Sequence, residues 1–178
     1  MPALSTTNDD VQSRLFTGKA SPHACPVTVI AESFGDPATI AQVLAALHVW
    51  AVVGCSSNPA RPSHNVTGTL LHHGYDVIPV NPREREVFDL AAYPDLASAA
   101  EVANSAGRPI EVVDIFRRAG LAGAHVDEAI AIGAKAVWLQ LGVIDEAAAR
   151  RAREAGLLVV MDRCPAIELP RLGRGEPD

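Results

Sequence analysis

Aromatic residues make up only 4% of this 178-residue chain. Its core must therefore be Val, Leu, Ile and Ala, the composition of buried parallel sheets. There are only three cysteines, Cys25, Cys55 and Cys164, with no CxxC or metal-ligand spacing. This predicts reduced thiols in an intracellular protein. No apolar run approaches the ~20 residues of a membrane span. The six histidines, His23, His48, His64, His72, His73 and His125, form no HxxxH or HxH arrangement with carboxylates, so no metal site is expected. There is no G-x-S-x-G, and no histidine follows a late strand with a clear acidic partner, so a Ser-His-Asp triad finds no support. Positive charge is in deficit, with 15 Lys and Arg against 21 Asp and Glu, a net charge of −6. That argues against a general nucleic-acid binder and leaves room for a local basic pocket. Met1 to Asp10 is polar and acidic, without a basic segment and a following apolar stretch. The expectation is a cytoplasmic protein without a signal peptide.

What the sequence does have is alternation of strand and helix. Pro22, Pro26, Gly35 and Pro37 break any regular pattern near the start. Residues 1–35 are expected to form an extension, arm-like or partly disordered, in which Val27–Ile30 reads equally as a short strand or an extended arm. Asp36-Pro37 is an N-cap and first-turn proline pair for a helix over Ala38–Leu47. Strands are expected over Trp50–Val53, Tyr75–Val80, Ile110–Phe116, Lys135–Leu139 and Leu157–Met161. Helices are expected over Ser63–His73, Asp95–Ala103, Gly123–Ile132 and Glu146–Ala155, the last capped by Asp145. The tail from Leu169 is rich in Gly, Pro and charge, and residues 173–178 are expected to fray. Residues 36–172 thus read as one α/β, doubly wound, Rossmann-like domain with a five-stranded, mainly parallel sheet.

In such sheets ligands bind at the carboxyl ends of the strands. The first strand runs into the turn Gly54-Cys55-Ser56-Ser57-Asn58-Pro59-Ala60-Arg61-Pro62-Ser63. Gly54 permits close backbone approach. Ser56 and Ser63 can donate to phosphate oxygens, Ser63 at a helix N-terminus, and Arg61 can pair bidentately with phosphate. The turn lacks the second and third glycines of the dinucleotide fingerprint, which points away from ordinary NAD chemistry. Cys55 is expected to pack behind the turn, although a helix N-terminus gives its thiol some claim to reactivity. After the second strand comes Val80-Asn81-Pro82-Arg83-Glu84-Arg85. Asn81 stands where an NAD site wants an acid, and the arginines suit a ribose bearing an extra phosphate: the 2′-phosphate of NADP or the 3′-phosphate of coenzyme A. Phe116 can flank an adenine, and Arg117 or Arg118 can reach phosphate. Trp138 is expected in the core, and Asp162-Arg163 is expected to form a structural ion pair.

Further matches run in order over residues 38–172. They include Ala51-Val52-Val53-Gly54-Cys55-Ser56, Arg61-Pro62-Ser63, Gly74-Tyr75-Asp76-Val77-Ile78-Pro79-Val80-Asn81-Pro82, Val113-Asp114-Ile115-Phe116-Arg117-Arg118 and Val137-Trp138-Leu139-Gln140-Leu141-Gly142-Val143. On these the chain resembles the small stand-alone CoA-binding proteins, similar to the CoA-binding domain of the succinyl-CoA synthetase α subunit. The resemblance implies that coenzyme A, free or acylated, lies across the strand ends. Its phosphates would meet Gly54, Ser56, Arg61 and Ser63. Its adenosine end would meet Val80, Asn81, Pro82 and Arg83, with Ile115, Phe116 and Arg117 opposite, and Gln140 would face the pantetheine. The family usually has Lys where Arg83 stands, and an insert around Asn104–Arg108 is expected to bear on the adenine side. The sequence shows no second domain and no phosphorylated-histidine loop. This leads to the expectation of binding without catalysis. The rival expectation is an NADP-linked oxidoreductase, or an acyl-CoA-handling subunit completed by a partner chain.

Overall fold

The computed structural model describes residues 34–173. The expected arm and the fraying tail lie outside the described residues, except for Phe34, Gly35 and Gly173.

The described residues form an α/β domain around one main sheet. Helix α1 (Pro37–Ala46) leads to β1 (Val49–Val53), α2 (Pro62–His72) and β2 (Asp76–Val80). A small hairpin, β3 (Glu86–Val87) and β4 (Leu90–Ala91), precedes α3 (Leu96–Ser105). Then follow β5 (Val112–Ile115), α4 (Ala119–Ala131), β6 (Ala136–Leu139), α5 (Glu146–Glu154), β7 (Leu158–Val160) and α6 (Pro165–Arg171). The five main strands are all parallel, in the order β2-β1-β5-β6-β7. The chain leaves β1 toward β2 and later returns to the other side of β1 with β5. The strand order therefore reverses between β1 and β5, and a crevice opens beyond their carboxyl ends.

The sheet is covered on both faces. Helices α1, α2 and α6 pack Ile40, Val43, Leu44, Val66, Leu70 and Leu169 against Trp50, Val52, Val112 and Trp138. Helices α3, α4 and α5 pack small residues, among them Ala99, Ala103, Ala122, Ala129, Ala148 and Ala152, against Ala51, Val53, Val113 and Val137. Side chains that add so little bulk let these helices lie close to the strands. Trp138 is fully buried, and its Nε1 donates to the Arg163 carbonyl at 2.8 Å. Three of the helices start at an aspartate cap. Asp36, Asp95 and Asp145 accept from the backbone N–H groups of Thr39, Ser98 and Ala148 at 2.8–3.0 Å.

Four features differ from the expectations. Helix α4 begins at Ala119, not Gly123. Gly120 and Gly123 weaken its pattern, yet Gly123 lets α5 approach: a Cβ there would stand 2.8 Å from Asp145 Oδ2. The β3–β4 hairpin has strands of only two residues, turned by Phe88 and Asp89 at φ 55° and 59°. Such a turn ordinarily shows itself by Asn-Gly or Asp-Gly. Leu169–Arg171 belong to α6 rather than to a loose tail. The Asn104–Arg108 segment closes α3 and enters β5 at the amino edge of the sheet, where Arg108 pairs with Asp76 at 2.9 Å. It lies at the opposite edge from the strand-end crevice, so it does not bear on an adenine there.

Candidate functional site

The carboxyl ends of β1, β2, β5 and β6 enclose a cleft of about 880 Å³, a volume typical of small-molecule sites. Its first wall is the β1–α2 turn. Gly54 holds φ +84°, and its N–H donates to the Val80 carbonyl at 2.8 Å. A Cβ at Gly54 would lie 2.6 Å from the Phe116 carbonyl oxygen, so only glycine lets the two turns meet. The cleft receives the amino ends of two long helices, Pro62 and Ser63 of α2 and Ala119 of α4. Both present the positive ends of their dipoles to it.

Most of the expected residues come together here. Gly54, Ser56, Arg61 and Ser63 line the cleft on one side. Asn81, Pro82 and Arg83 line it from the β2 end, Phe116 and Arg117 from β5, and Gln140 from β6. Val80 instead lines an adjoining recess of about 200 Å³, where it meets Val53, Pro82, Pro94, Leu96 and Arg117. Ile115 is fully buried among core residues and lines neither space.

Several side chains have partners that the sequence did not reveal. Asn81 Nδ2 donates to the Cys55 carbonyl at 2.6 Å, and its Oδ1 accepts from the Arg83 N–H at 3.0 Å. Asn81 thus ties the β1–α2 turn to the loop after β2. Glu84 reaches into the same turn. Its carboxylate accepts from Ser56 Oγ at 3.2 Å, Ser57 N at 3.1 Å and Ser57 Oγ at 2.9 Å. These bonds, led by the Ser57 N–H, hold its pKa below the usual carboxylate range. The turn therefore already accommodates one carboxylate. His64 stacks on Phe88, with ring centroids 4.3 Å apart, and its Nδ1 lies 3.1 Å from the Ser56 carbonyl. The hairpin thereby braces α2 beside the turn.

Among the described residues the cations at the cleft have no carboxylate partner. Arg61, Arg83, Arg117 and Arg118 surround its mouth, all exposed. Among the described residues none of the four pairs with a carboxylate, whereas Arg108, Arg150, Arg151 and Arg171 all do. Four guanidinium groups thus converge on one edge of a chain whose net charge is −6.

The floor of the cleft is different in character. Gln140 is nearly buried, and its Nε2 donates to Asp114 Oδ1 at 2.7 Å. Asp114 is fully buried, and burial pushes its carboxyl up to about 8. Cys164 completes this end of the cleft. Burial raises the thiols of both Cys164 and Cys55. Cys55 is wholly buried with its Sγ 3.3 Å from Thr67 Oγ1, which removes the claim to reactivity that a helix N-terminus gave it. Asp162 and Arg163 do not form the expected ion pair. Asp162 Oδ1 accepts from the Gly142 N–H at 2.8 Å, and Arg163 donates to the carbonyls of Asp162 and Gly35. Among the described residues no cluster of His, Cys, Asp and Glu could hold a metal ion. No helix there is long and apolar enough to cross a membrane.

Relatives share this architecture. The uncharacterized protein YneT of Bacillus subtilis is 35% identical over 114 residues, covering 64% of this chain and 79% of YneT. The crystal structure of Prb, the PH1109 protein redesigned for binding, is 38% identical with a TM-score of 0.71, covering 80% of this chain and 96% of Prb. A hypothetical protein from Pyrococcus horikoshii OT3 is also 38% identical, with a TM-score of 0.69, covering 77% of this chain and 92% of its own. Residues 48–170 match the family model of the CoA binding domain. That match spans more than half of the sequence, and the chain belongs to the CoA binding domain family.

Proposed function

We propose that residues 36–172 bind coenzyme A, free or acylated, across this cleft in the cytoplasm, without chemistry of their own. The observation that carries the reading is the set of four arginines without carboxylate partners among the described residues, Arg61, Arg83, Arg117 and Arg118, gathered beside two helix amino ends. Coenzyme A brings a pyrophosphate and a 3′-phosphate, and these charges match such a rim.

Each residue then has a role. Gly54 gives the pyrophosphate a close backbone approach, Ser63 and Arg61 donate to its oxygens, and Ser56 does so by turning its hydroxyl away from Glu84. Arg83 takes the 3′-phosphate, with Arg117 across from it. Val80 and Pro82 offer apolar contact to the adenine, and Phe116 flanks it. Asn81 holds the two turns in register, whereas Ile115 stays buried in the core and makes no direct contact with the ligand. Gln140 faces the pantetheine arm. The thiol or thioester end then lies toward Leu141 and Cys164.

Two observations disfavour chemistry within this chain. The cleft thiol of Cys164 is held up by burial, and the one buried acid at the floor has an amide for its partner rather than a base. Native mass spectrometry on the protein mixed with equal amounts of CoA, dephospho-CoA and NADP tests the reading. A one-to-one complex at the mass of CoA is expected. A complex dominated by NADP would instead favour the oxidoreductase.

A further inference from the structure

We propose that Asp114 is a positioning residue for the pantetheine arm and acts through Gln140. The inference rests on the CoA reading above.

Asp114 sits in the middle of the sheet, between Val52 on β1 and Trp138 on β6, at zero exposure. A carboxyl in such a place is costly unless it is neutral and hydrogen-bonded. The structure supplies half of that. Gln140 Nε2 donates to Oδ1, while Oδ2 is buried with no partner among the described residues. Among the described residues no cation contributes to its environment. Burial is the first cause that raises its pKa to about 8, which favours the neutral acid at pH 7. The titratable neighbours are equally uncharged or engaged elsewhere: the thiols of Cys55 and Cys164 are raised, and Glu168 on α6 pairs with Arg171 at 2.9 Å.

Packing alone gives no reason for an acid at this position, since its neighbours across the sheet are Val52 and Trp138. Its one side-chain partner among the described residues is Gln140, the floor residue of the cleft. That contact commits the amide nitrogen of Gln140 to the sheet. The amide oxygen, which has no partner among the described residues, is left to the cleft as an acceptor. Pantetheine carries two amide N–H groups, and an ordered carbonyl oxygen is the partner they need. Without Asp114 the Gln140 amide would be free to turn, and the cleft would lose a fixed acceptor.

Calorimetric titration of the full chain with two ligands tests this. CoA has the pantetheine arm; adenosine 3′,5′-bisphosphate has the nucleotide end without it. Asp114→Val should weaken CoA by roughly tenfold, the scale of one lost hydrogen bond, and leave the bisphosphate unchanged. Asp114→Ser, too short to reach Gln140, gives the same comparison if the valine variant does not fold. Asp114→Asn, which still accepts from Gln140, should keep the wild-type affinity for CoA. Gln140→Leu should show the same selective loss, and adding Asp114→Val to it should cost nothing more. Equal losses for the two ligands, unchanged CoA binding in Asp114→Val, or additive losses in the double variant would each overturn the role of Asp114 while leaving the CoA reading standing. A wild-type protein that binds no CoA would remove both.

Discussion

A side chain on Gly54 would place its Cβ 2.6 Å from the carbonyl oxygen of Phe116. These residues directly follow β1 and β5, the two strands between which the strand order reverses. Their contact therefore sets the width of the crevice. Gly54→Ala adds a clash with backbone, which has no rotamer to escape into, to the cost of a positive φ. It should destabilise the protein by about 2 kcal/mol or more in urea unfolding. Gly74→Ala is the control, because Gly74 also has positive φ (+79°) but nothing within 4 Å. It should cost only about 1 kcal/mol. Equal losses in the two variants would mean that the approach to Phe116 is unimportant.

Arg61 is exposed and has no carboxylate partner among the described residues, so it contributes little to folding. Arg61→Ala should weaken CoA by roughly 10- to 100-fold if a charge-assisted bond to the pyrophosphate is lost. Its melting temperature without ligand should barely move. A large fall in stability with unchanged affinity would make Arg61 structural.

Asp114 should also shape the dependence of stability on pH. Its folded value is about 8 against an ordinary 3.8. Between those values the native state holds a proton that the unfolded chain releases. Its contribution to stability is therefore greatest at low pH and is lost as pH rises from about 4 to about 8, at up to ~1.4 kcal/mol per pH unit. Asp114→Asn abolishes that loss, so the variant should gain on the wild type between pH 5 and pH 8 in urea unfolding. A difference that stays constant over that range would show that Asp114 is ionised in the native state.

The thiols should be quiet. Cys55 is fully buried against Thr67, and burial raises both Cys55 and Cys164. Under reducing conditions Cys55→Ser and Cys164→Ser should bind CoA as the wild type does, with the fold intact by circular dichroism. Loss of reversible binding in either variant would give the thiol a role in holding the ligand.

Much of this molecule was legible in the chain itself. Runs such as Ala51-Val52-Val53 and Val137-Trp138-Leu139 mark strands buried on both faces, and Asp36, Asp95 and Asp145 mark helix starts. The main cleft follows because parallel strands put their carboxyl ends on one edge. Helix α6 was not legible, because Pro165 and Pro170 look like breakers although Pro165 occupies the first turn, where proline is tolerated. Nor were the partners that depend on register. Asn81 reaches Cys55 across 26 residues, and Glu84 reaches Ser57 across 27. Asp114 reads as one more polar residue near a strand end. Only the pairing of β5 between β1 and β6 buries it beneath Gln140.

The central claim is that the arginine-rimmed cleft binds coenzyme A through both its pyrophosphate and its 3′-phosphate. Calorimetric titration of the purified chain with CoA, dephospho-CoA and NAD tests it most directly. The account predicts saturable one-to-one binding of CoA, tighter than dephospho-CoA and far tighter than NAD, with the gap between the first two closing in Arg83→Ala. Equal affinity of the wild type for CoA and dephospho-CoA, or no binding of either, would contradict it.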